Sequence, residues 1–121
     1  MAFNILICDD SRVARNQVAK ALQTIVPCTY TLVGDGEQAL QQLHDQHFDL
    51  LCLDLTMPKL DGIAVLEHLK QRKTETFVIV ISADVQTQMR ARAKSLGAME
   101  FIAKPIKTER LKDVLHKFGI Y

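Results

Sequence analysis

The sequence lacks the features that mark membrane, secreted and disulfide-stabilised proteins. No apolar run approaches the roughly 20 residues of a membrane-spanning helix. No basic segment precedes the first apolar stretch, as a signal peptide would require. The cysteines Cys8, Cys28 and Cys52 are odd in number and have no C-x-x-C spacing. We therefore expect a cytoplasmic protein whose cysteines are reduced and serve packing.

Signals of nucleic-acid binding are also missing. The net charge is +1, although residues 1–84 carry a charge of −4 and residues 85–121 a charge of +5. The basic last third has no interleaving of arginine with aromatic residues, so we interpret it as solvated helix faces suited to an acidic protein partner. The acidic excess in the first two-thirds is suited to a bound cation.

Two hydrophobic periods alternate along the 121 residues, a length that predicts a single domain, 1–121. Short apolar runs predict strands at residues 5–8, 30–33, 49–53, 77–81 and 100–103. Between them, apolar residues at helical spacing predict five helices, with faces Ala14/Val18/Leu22/Ile25, Ala39/Leu40/Leu43, Ile63/Leu66/Leu69, Val85/Met89/Ala93/Leu96 and Leu111/Val114/Leu115/Phe118. Ser11 and Asp61 are predicted N-caps, residues 34–36 a turn, and Gly97 a helix stop.

This alternation predicts an α/β fold. Strands separated by helices pair in parallel through right-handed crossovers, so helices cover both faces of the sheet. We expect a doubly wound five-stranded sheet of the flavodoxin-like type, with strand order 2-1-3-4-5. In such a sheet, ligands bind beyond the carboxyl ends of the strands where the order reverses, which is between strands 1 and 3.

Polar residues follow the predicted strands at that edge. Asp9 and Asp10 come after the first strand, Asp54 after the third, Ser82 after the fourth and Lys104 after the fifth. Three converging carboxylates repel one another by several kcal/mol, roughly 4 per pair about 4 Å apart at an effective dielectric of about 20. Mg²⁺ prefers such oxygen ligands and shares its shell with phosphate. Because a carboxylate forms an aspartyl phosphate, the pattern predicts phosphoryl transfer.

Four pieces of the sequence, in order, resemble the receiver domain of two-component response regulators. They are the pair Asp9–Asp10, the run DLTMPKLDG at 54–62, Ser82–Ala83, and the run FIAKP at 101–105. Each piece alone is a weak signal, but the pieces occur in order at the ends of predicted strands, and the resemblance covers the whole chain.

The resemblance implies a role for each matching position. Asp54 would be the phosphoacceptor. Asp10 and the backbone carbonyl of Thr56 would join it as direct Mg²⁺ ligands, with Asp9 acting through water and Mn²⁺ as a substitute metal. Lys104 would pair with the phosphoryl group.

Further positions would govern switching and lifetime. A cis peptide would join Lys104 to Pro105. Ser82 and Phe101 would be a switch pair in which the hydroxyl moves to the phosphoryl oxygen and the ring turns inward. Thr56, where the family more often has asparagine, and Asp84 would flank the attacking water and tune dephosphorylation.

Other classes of protein fit the sequence less well. A haloacid-dehalogenase-type hydrolase needs a second aspartate two residues beyond its nucleophile, where this chain has Thr56. A flavodoxin-like FMN carrier would not place two acids in its first loop, and a dinucleotide site would need G-x-G-x-x-G. We expect a phosphoacceptor switch and not an enzyme.

The resemblance leaves the output open. We expect a stand-alone receiver of the chemotaxis or phosphorelay type, and the alternative is a module of a longer regulator with an enzymatic or DNA-binding output. The expected partners are a histidine kinase or phosphotransfer domain and a downstream effector. We expect the domain to be a monomer or a weak phosphorylation-dependent dimer, and to contact neither nucleic acid nor membrane. The expected effector face comprises helix 4, strand 5 and helix 5, with Arg90, Arg92 and Lys94.

Overall fold

Strands and helices alternate along the whole of the part that the structure describes. The structure is a computed structural model, and it describes residues 3–72, 75–84 and 86–120. The elements are β1 (Phe3–Cys8), α1 (Arg12–Ile25), β2 (Cys28–Val33), α2 (Gly36–Asp45), β3 (Leu50–Leu53), α3 (Gly62–Arg72), β4 (Phe77–Ser82), α4 (Thr87–Ser95), β5 (Glu100–Ala103) and α5 (Thr108–Lys117).

The five strands form one parallel sheet in the order β2-β1-β3-β4-β5, which confirms the predicted topology. The central strands are apolar at nearly every position because helices cover both of their faces. Along β1, for example, Leu6 faces the cluster packed by α2, α3 and α4, whereas Ile5 and Ile7 face the cluster packed by α1 and α5. All three side chains are at most 1% exposed.

The first three strands begin at different residues from those predicted. β1 and β2 begin two residues early because Phe3 and Cys28 pair in register. β3 begins one residue late, at Leu50, since Asp49 has a separate role: its carboxylate accepts a hydrogen bond from the backbone N–H of Asn4 at 2.8 Å.

The predicted caps are confirmed, and one was missed. The side chains of Ser11 and Asp61 accept hydrogen bonds from the backbone N–H groups of Ala14 (3.2 Å) and Ala64 (2.9 Å). Gly97 has a φ of 104° just after α4. Asp35, predicted only as part of a turn, is the buried N-cap of α2.

Helix packing follows the predicted faces, with α4 as the exception. Within α4 only Ala93 is buried, and Met89 packs against the core only in part. Val85, assigned to the same face, lies outside the described residues. Among the residues that the structure covers, the helices are all too short or too polar to cross a lipid bilayer.

Candidate functional site

Three carboxylates meet at the carboxyl edge of the sheet, between β1 and β3. Cys8 and Leu53 are paired in register, so the residues after them, Asp9 and Asp54, are neighbours. Asp9, Asp10 and Asp54 each offer an oxygen within 4.8 Å of the others. Asp9 and Asp54 are 3% and 5% exposed, whereas Asp10 is exposed to solvent. The predicted convergence is therefore present, with one acid on the solvent side.

Lys104 brings a positive charge to this cluster from two strands away. Its Nζ lies 2.6 Å from Asp9 Oδ2 and 3.0 Å from Asp54 Oδ2. Partial burial alone lowers the pKa of the ammonium, but the hydrogen bonds and negative charges of Asp9 and Asp54 outweigh that effect and raise the pKa of Lys104 above 10.5. The lysine is therefore a fixed cation at neutral pH.

The backbone around Asp54 is tightly fixed. Its N–H donates to the Cys8 carbonyl at 2.9 Å, and its Oδ1 accepts from the Thr56 N–H at 3.3 Å. A side chain at Gly62 would place its Cβ 2.4 Å from the Asp54 carbonyl oxygen, so only glycine permits this approach of α3 to the acceptor loop. These contacts leave the Asp54 carboxylate directed at Lys104 and the other acids.

The hydroxyl of Ser82 lies at the end of β4, next to the strand that delivers Lys104. The Lys104 N–H donates to the Ser82 carbonyl at 3.0 Å, and the Ser82 Oγ accepts from the Asp84 N–H at 3.2 Å. The carboxylate of Asp84 in turn accepts from the Gln86 N–H at 3.1 Å. In this structure Asp84 thus shapes the β4–α4 loop.

Phe101 lies on β5, three residues before Lys104, and the residue is 7% exposed. The guanidinium carbon of Arg90 lies 5.0 Å from the ring centroid, a cation–π distance. The structure therefore links the predicted switch aromatic to α4. The peptide between Lys104 and Pro105 is cis, as the resemblance implied.

The three basic residues assigned to the partner face do not all lie on it. Arg90 and Lys94, four residues apart on α4, line one pocket together with Phe101 and Lys117. Arg92 instead points toward α3, where its Nη2 lies 3.6 Å from Glu67 Oε1. Helical spacing explains this difference, because residues two apart face opposite sides.

Two contributors to the site were missed in the sequence. Arg15 donates from Nη1 to the Asp9 carbonyl at 2.7 Å. Asp35 forms a 3.8 Å ion pair with Lys59 of the acceptor loop. The sequence offered a weak signal for Arg15, because this cation lies one turn into the helix that follows the acid pair. Hydrogen bonds from a side chain to a backbone carbonyl, however, have no recognisable spacing in a sequence.

The chemistry of the donor set fits a divalent cation. Three carboxylates within 4.8 Å face the single ammonium of Lys104, which leaves an excess of two negative charges if all are ionised. A hard, oxygen-seeking ion with several of its own waters suits an acid cluster that is open on one side, and Mg²⁺ is such an ion. The residues present therefore fit the metal that the sequence predicted.

Comparison with known proteins identifies the family to which this fold and acid cluster belong. The family model described as the response regulator receiver domain matches residues 5–116. The chain therefore belongs to the response regulator receiver family. Nothing in this match supports the hydrolase, flavin or dinucleotide alternatives.

Individual relatives differ in what surrounds the receiver domain. The chain is 33% identical to the chemotaxis protein CheY of Bacillus subtilis over 97% of this chain and 98% of that protein. It is also 30% identical to the probable C4-dicarboxylate response regulator DctR of the same organism, over 98% of this chain. The chain spans about half of the length of that relative, 53%.

A solved structure shows the same architecture. The crystal structure of the CheX–CheY–BeF₃–Mg²⁺ complex from Borrelia burgdorferi contains a chain that superposes with a TM-score of 0.88 at 30% identity. The superposition covers 98% of this chain and 90% of that one. The doubly wound receiver fold is thus shown both by the family match and by the arrangement of the five strands.

Proposed function

We propose that Asp54 accepts a phosphoryl group from a histidine kinase or phosphotransfer domain, and that this modification switches a partner-binding face. The observation that carries the proposal is the meeting of Asp9, Asp10 and Asp54 with the Lys104 ammonium at one edge of the sheet. A carboxylate that is held by its neighbours and faces a fixed cation is suited to attack phosphorus. We extend the receiver domain to the whole of 1–121.

Asp10, Asp54 and the carbonyl of Thr56 would hold Mg²⁺, with Asp9 acting through water and Mn²⁺ as a substitute. The bound ion would supply charge neutralisation for the transferring phosphoryl group. A carboxylate nucleophile, unlike a hydroxyl, loses no O–H proton when it attacks phosphorus, so this role would need no general base. Lys104 contacts the carboxylates of both Asp9 and Asp54. If it released one of these oxygens, its ammonium would be within reach of a phosphoryl oxygen attached to Asp54.

Ser82 and Phe101 would transmit the change. The Ser82 hydroxyl now accepts from the Asp84 N–H and can donate its own proton to a phosphoryl oxygen. Movement of this hydroxyl alters the space beside Phe101, whose ring is in contact with Arg90 of α4. Thr56 and Asp84 would tune dephosphorylation through their positions beside Asp54 and Ser82.

The face that reads the switch comprises α4, β5 and α5. Its pocket is lined by the apolar Ala93 and Phe101, by the basic Arg90, Lys94 and Lys117, and by the acidic Glu100, which lies 3.6 Å from Lys117. We propose that a protein effector binds this face. We further propose that the domain is cytoplasmic, that it is a monomer or a weak phosphorylation-dependent dimer, and that it contacts neither nucleic acid nor membrane. We propose a stand-alone receiver of the chemotaxis or phosphorelay type, like the CheY relative, with a module of a longer regulator, like the DctR relative, as the alternative.

The test is phosphorylation by a small donor. Wild-type protein incubated with Mg²⁺ and acetyl phosphate should gain one acid-labile phosphoryl group by intact mass, and Asp54→Asn should gain none. Asp113→Asn, an exposed acid on α5, is the matched control and should behave as wild type. Equal incorporation into Asp54→Asn, or continuous turnover of the donor without a stable adduct, would contradict the proposal.

A further inference from the structure

The peptide that joins Asp9 to Asp10 is held by a side chain from the next helix. Arg15, in the second turn of α1, donates from Nη1 to the Asp9 carbonyl oxygen at 2.7 Å. That oxygen belongs to the peptide plane between the two acids. Its orientation determines in which direction the chain leaves Asp9, and therefore where the Asp10 carboxylate points.

The two acids are anchored very unequally by other contacts. The Asp9 N–H donates to the Val33 carbonyl at 3.1 Å, and its carboxylate accepts from the Ser11 N–H at 2.9 Å. Asp9 also pairs with Lys104. Within the described ranges, by contrast, no hydrogen bond or ion pair to the exposed Asp10 side chain is found. The peptide held by Arg15 is thus the main constraint on Asp10.

The guanidinium of Arg15 also lies close to the β2–α2 connection. A Cβ built at Gly34 would lie 3.2 Å from Arg15 Nη1, which is closer than ordinary van der Waals contact. The space beside the Gly34 backbone is thus occupied by the end of the Arg15 side chain. An alanine there would press on the guanidinium while leaving its charge unchanged.

We propose that Arg15 is a positioning residue for the divalent cation, fixing the Asp9–Asp10 peptide so that the Asp10 carboxylate faces Asp54. This inference rests on the proposed function, which places Mg²⁺ at these acids. A competing effect has the opposite sign: the positive charge of Arg15 repels a cation, so charge alone predicts that removing it strengthens binding. Positioning predicts that removing it weakens binding, as for other residues that orient metal ligands.

The experiment measures Mg²⁺ binding to the metal-free protein by calorimetric titration and by the rise in melting temperature. Arg15→Met should raise the Kd for Mg²⁺ about tenfold, and Arg15→Lys, which keeps the charge and a donor, should recover part of the loss. The control is Arg12→Met, which removes an exposed cation one turn earlier on α1 and should bind Mg²⁺ as well as wild type or more tightly.

Gly34→Ala is the second test, and it is independent of whether Arg15→Met folds. It should weaken Mg²⁺ binding at least twofold, with metal-free circular dichroism unchanged. The inference is overturned if Arg15→Met binds as tightly as wild type or more tightly, or, should that variant not fold, if Gly34→Ala leaves the Kd unchanged. Wild-type protein that binds no Mg²⁺ at millimolar concentrations would overturn the proposed function itself, and this inference with it.

Discussion

The Lys104 ammonium lies closer to Asp9, at 2.6 Å, than to Asp54, at 3.0 Å. This lysine is therefore a counter-ion shared by the two buried acids and not a partner of Asp54 alone. Both carboxylates are less than a tenth exposed, so neither is well solvated by water. We therefore expect the stability of the protein to depend on the same three groups to which we assign its reactivity.

Replacing Lys104 with methionine should destabilise the metal-free protein. Two buried carboxylates lose their cation, which costs about 3 kcal/mol in the free energy of unfolding. Because the folded-state pKa of Lys104 is raised, the wild-type contribution is fully present below pH 10.5 and is lost as the pH rises through the folded-state pKa. Urea unfolding at pH 7 in EDTA measures the loss.

Lys20→Met is the matched control, since Lys20 is exposed on α1, and it should leave the unfolding midpoint nearly unchanged. Addition of Mg²⁺ should stabilise Lys104→Met more than wild type. A Lys104→Met variant as stable as wild type in EDTA would show that the acids do not need this cation.

Asp10→Asn should have the opposite effect on the metal-free protein. Asp10 adds a third negative charge within 4.8 Å of the others, and its neutralisation removes repulsion on the order of 1 kcal/mol. The melting temperature in EDTA should therefore rise, whereas the stabilisation by Mg²⁺ should disappear. Asp113→Asn, which removes an exposed acid from α5, serves as the control for net charge. A lowered melting temperature in Asp10→Asn would argue that this carboxylate has a stabilising partner.

Buried thiols should set the alkaline limit of stability. Burial raises the pKa of Cys8 and Cys52 from 9.0 to about 12. Unfolded thiols ionise at about pH 9, so the stability that these groups contribute is present below that pH and is lost between pH 9 and 12. In Cys52→Ala, the decline of unfolding free energy with pH in this window should be shallower by about 1.4 kcal/mol per unit. Cys28→Ala, at a half-buried position, should change this slope much less. Equal slopes in wild type, Cys52→Ala and Cys28→Ala would contradict the prediction.

The contact between Arg90 and Phe101 should be measurable as a coupling energy. A double-mutant cycle with Arg90→Leu and Phe101→Leu, followed by urea unfolding, should give about 0.5–1 kcal/mol. The same cycle with Arg92→Leu should give none, because Arg92 faces Glu67 on α3. If phosphorylation moves the ring, the Arg90 coupling should change when BeF₃⁻ and Mg²⁺ are added. A coupling energy near zero under all conditions would indicate that the Arg90–Phe101 contact does not connect α4 to the switch.

The sequence determined the architecture because its signals are local. Unbroken apolar runs such as 77–81 specify buried parallel strands, and capping residues such as Ser11 specify helix starts, without knowledge of distant contacts. Topology then brought Asp9, Asp10, Asp54, Ser82 and Lys104 to one edge, as predicted. The roles assigned to them individually remain predictions that the experiments above address.

The tertiary structure alone decided how those residues are held. That Lys104 reaches Asp9, that Arg15 binds the Asp9 carbonyl and that Arg92 faces α3 depend on side-chain directions and on contacts between distant segments. Sequence patterns report periodicity and therefore which face of an element is buried. They do not report which of several nearby charges will pair, because that choice depends on differences of a few ångströms that only the packed chain defines.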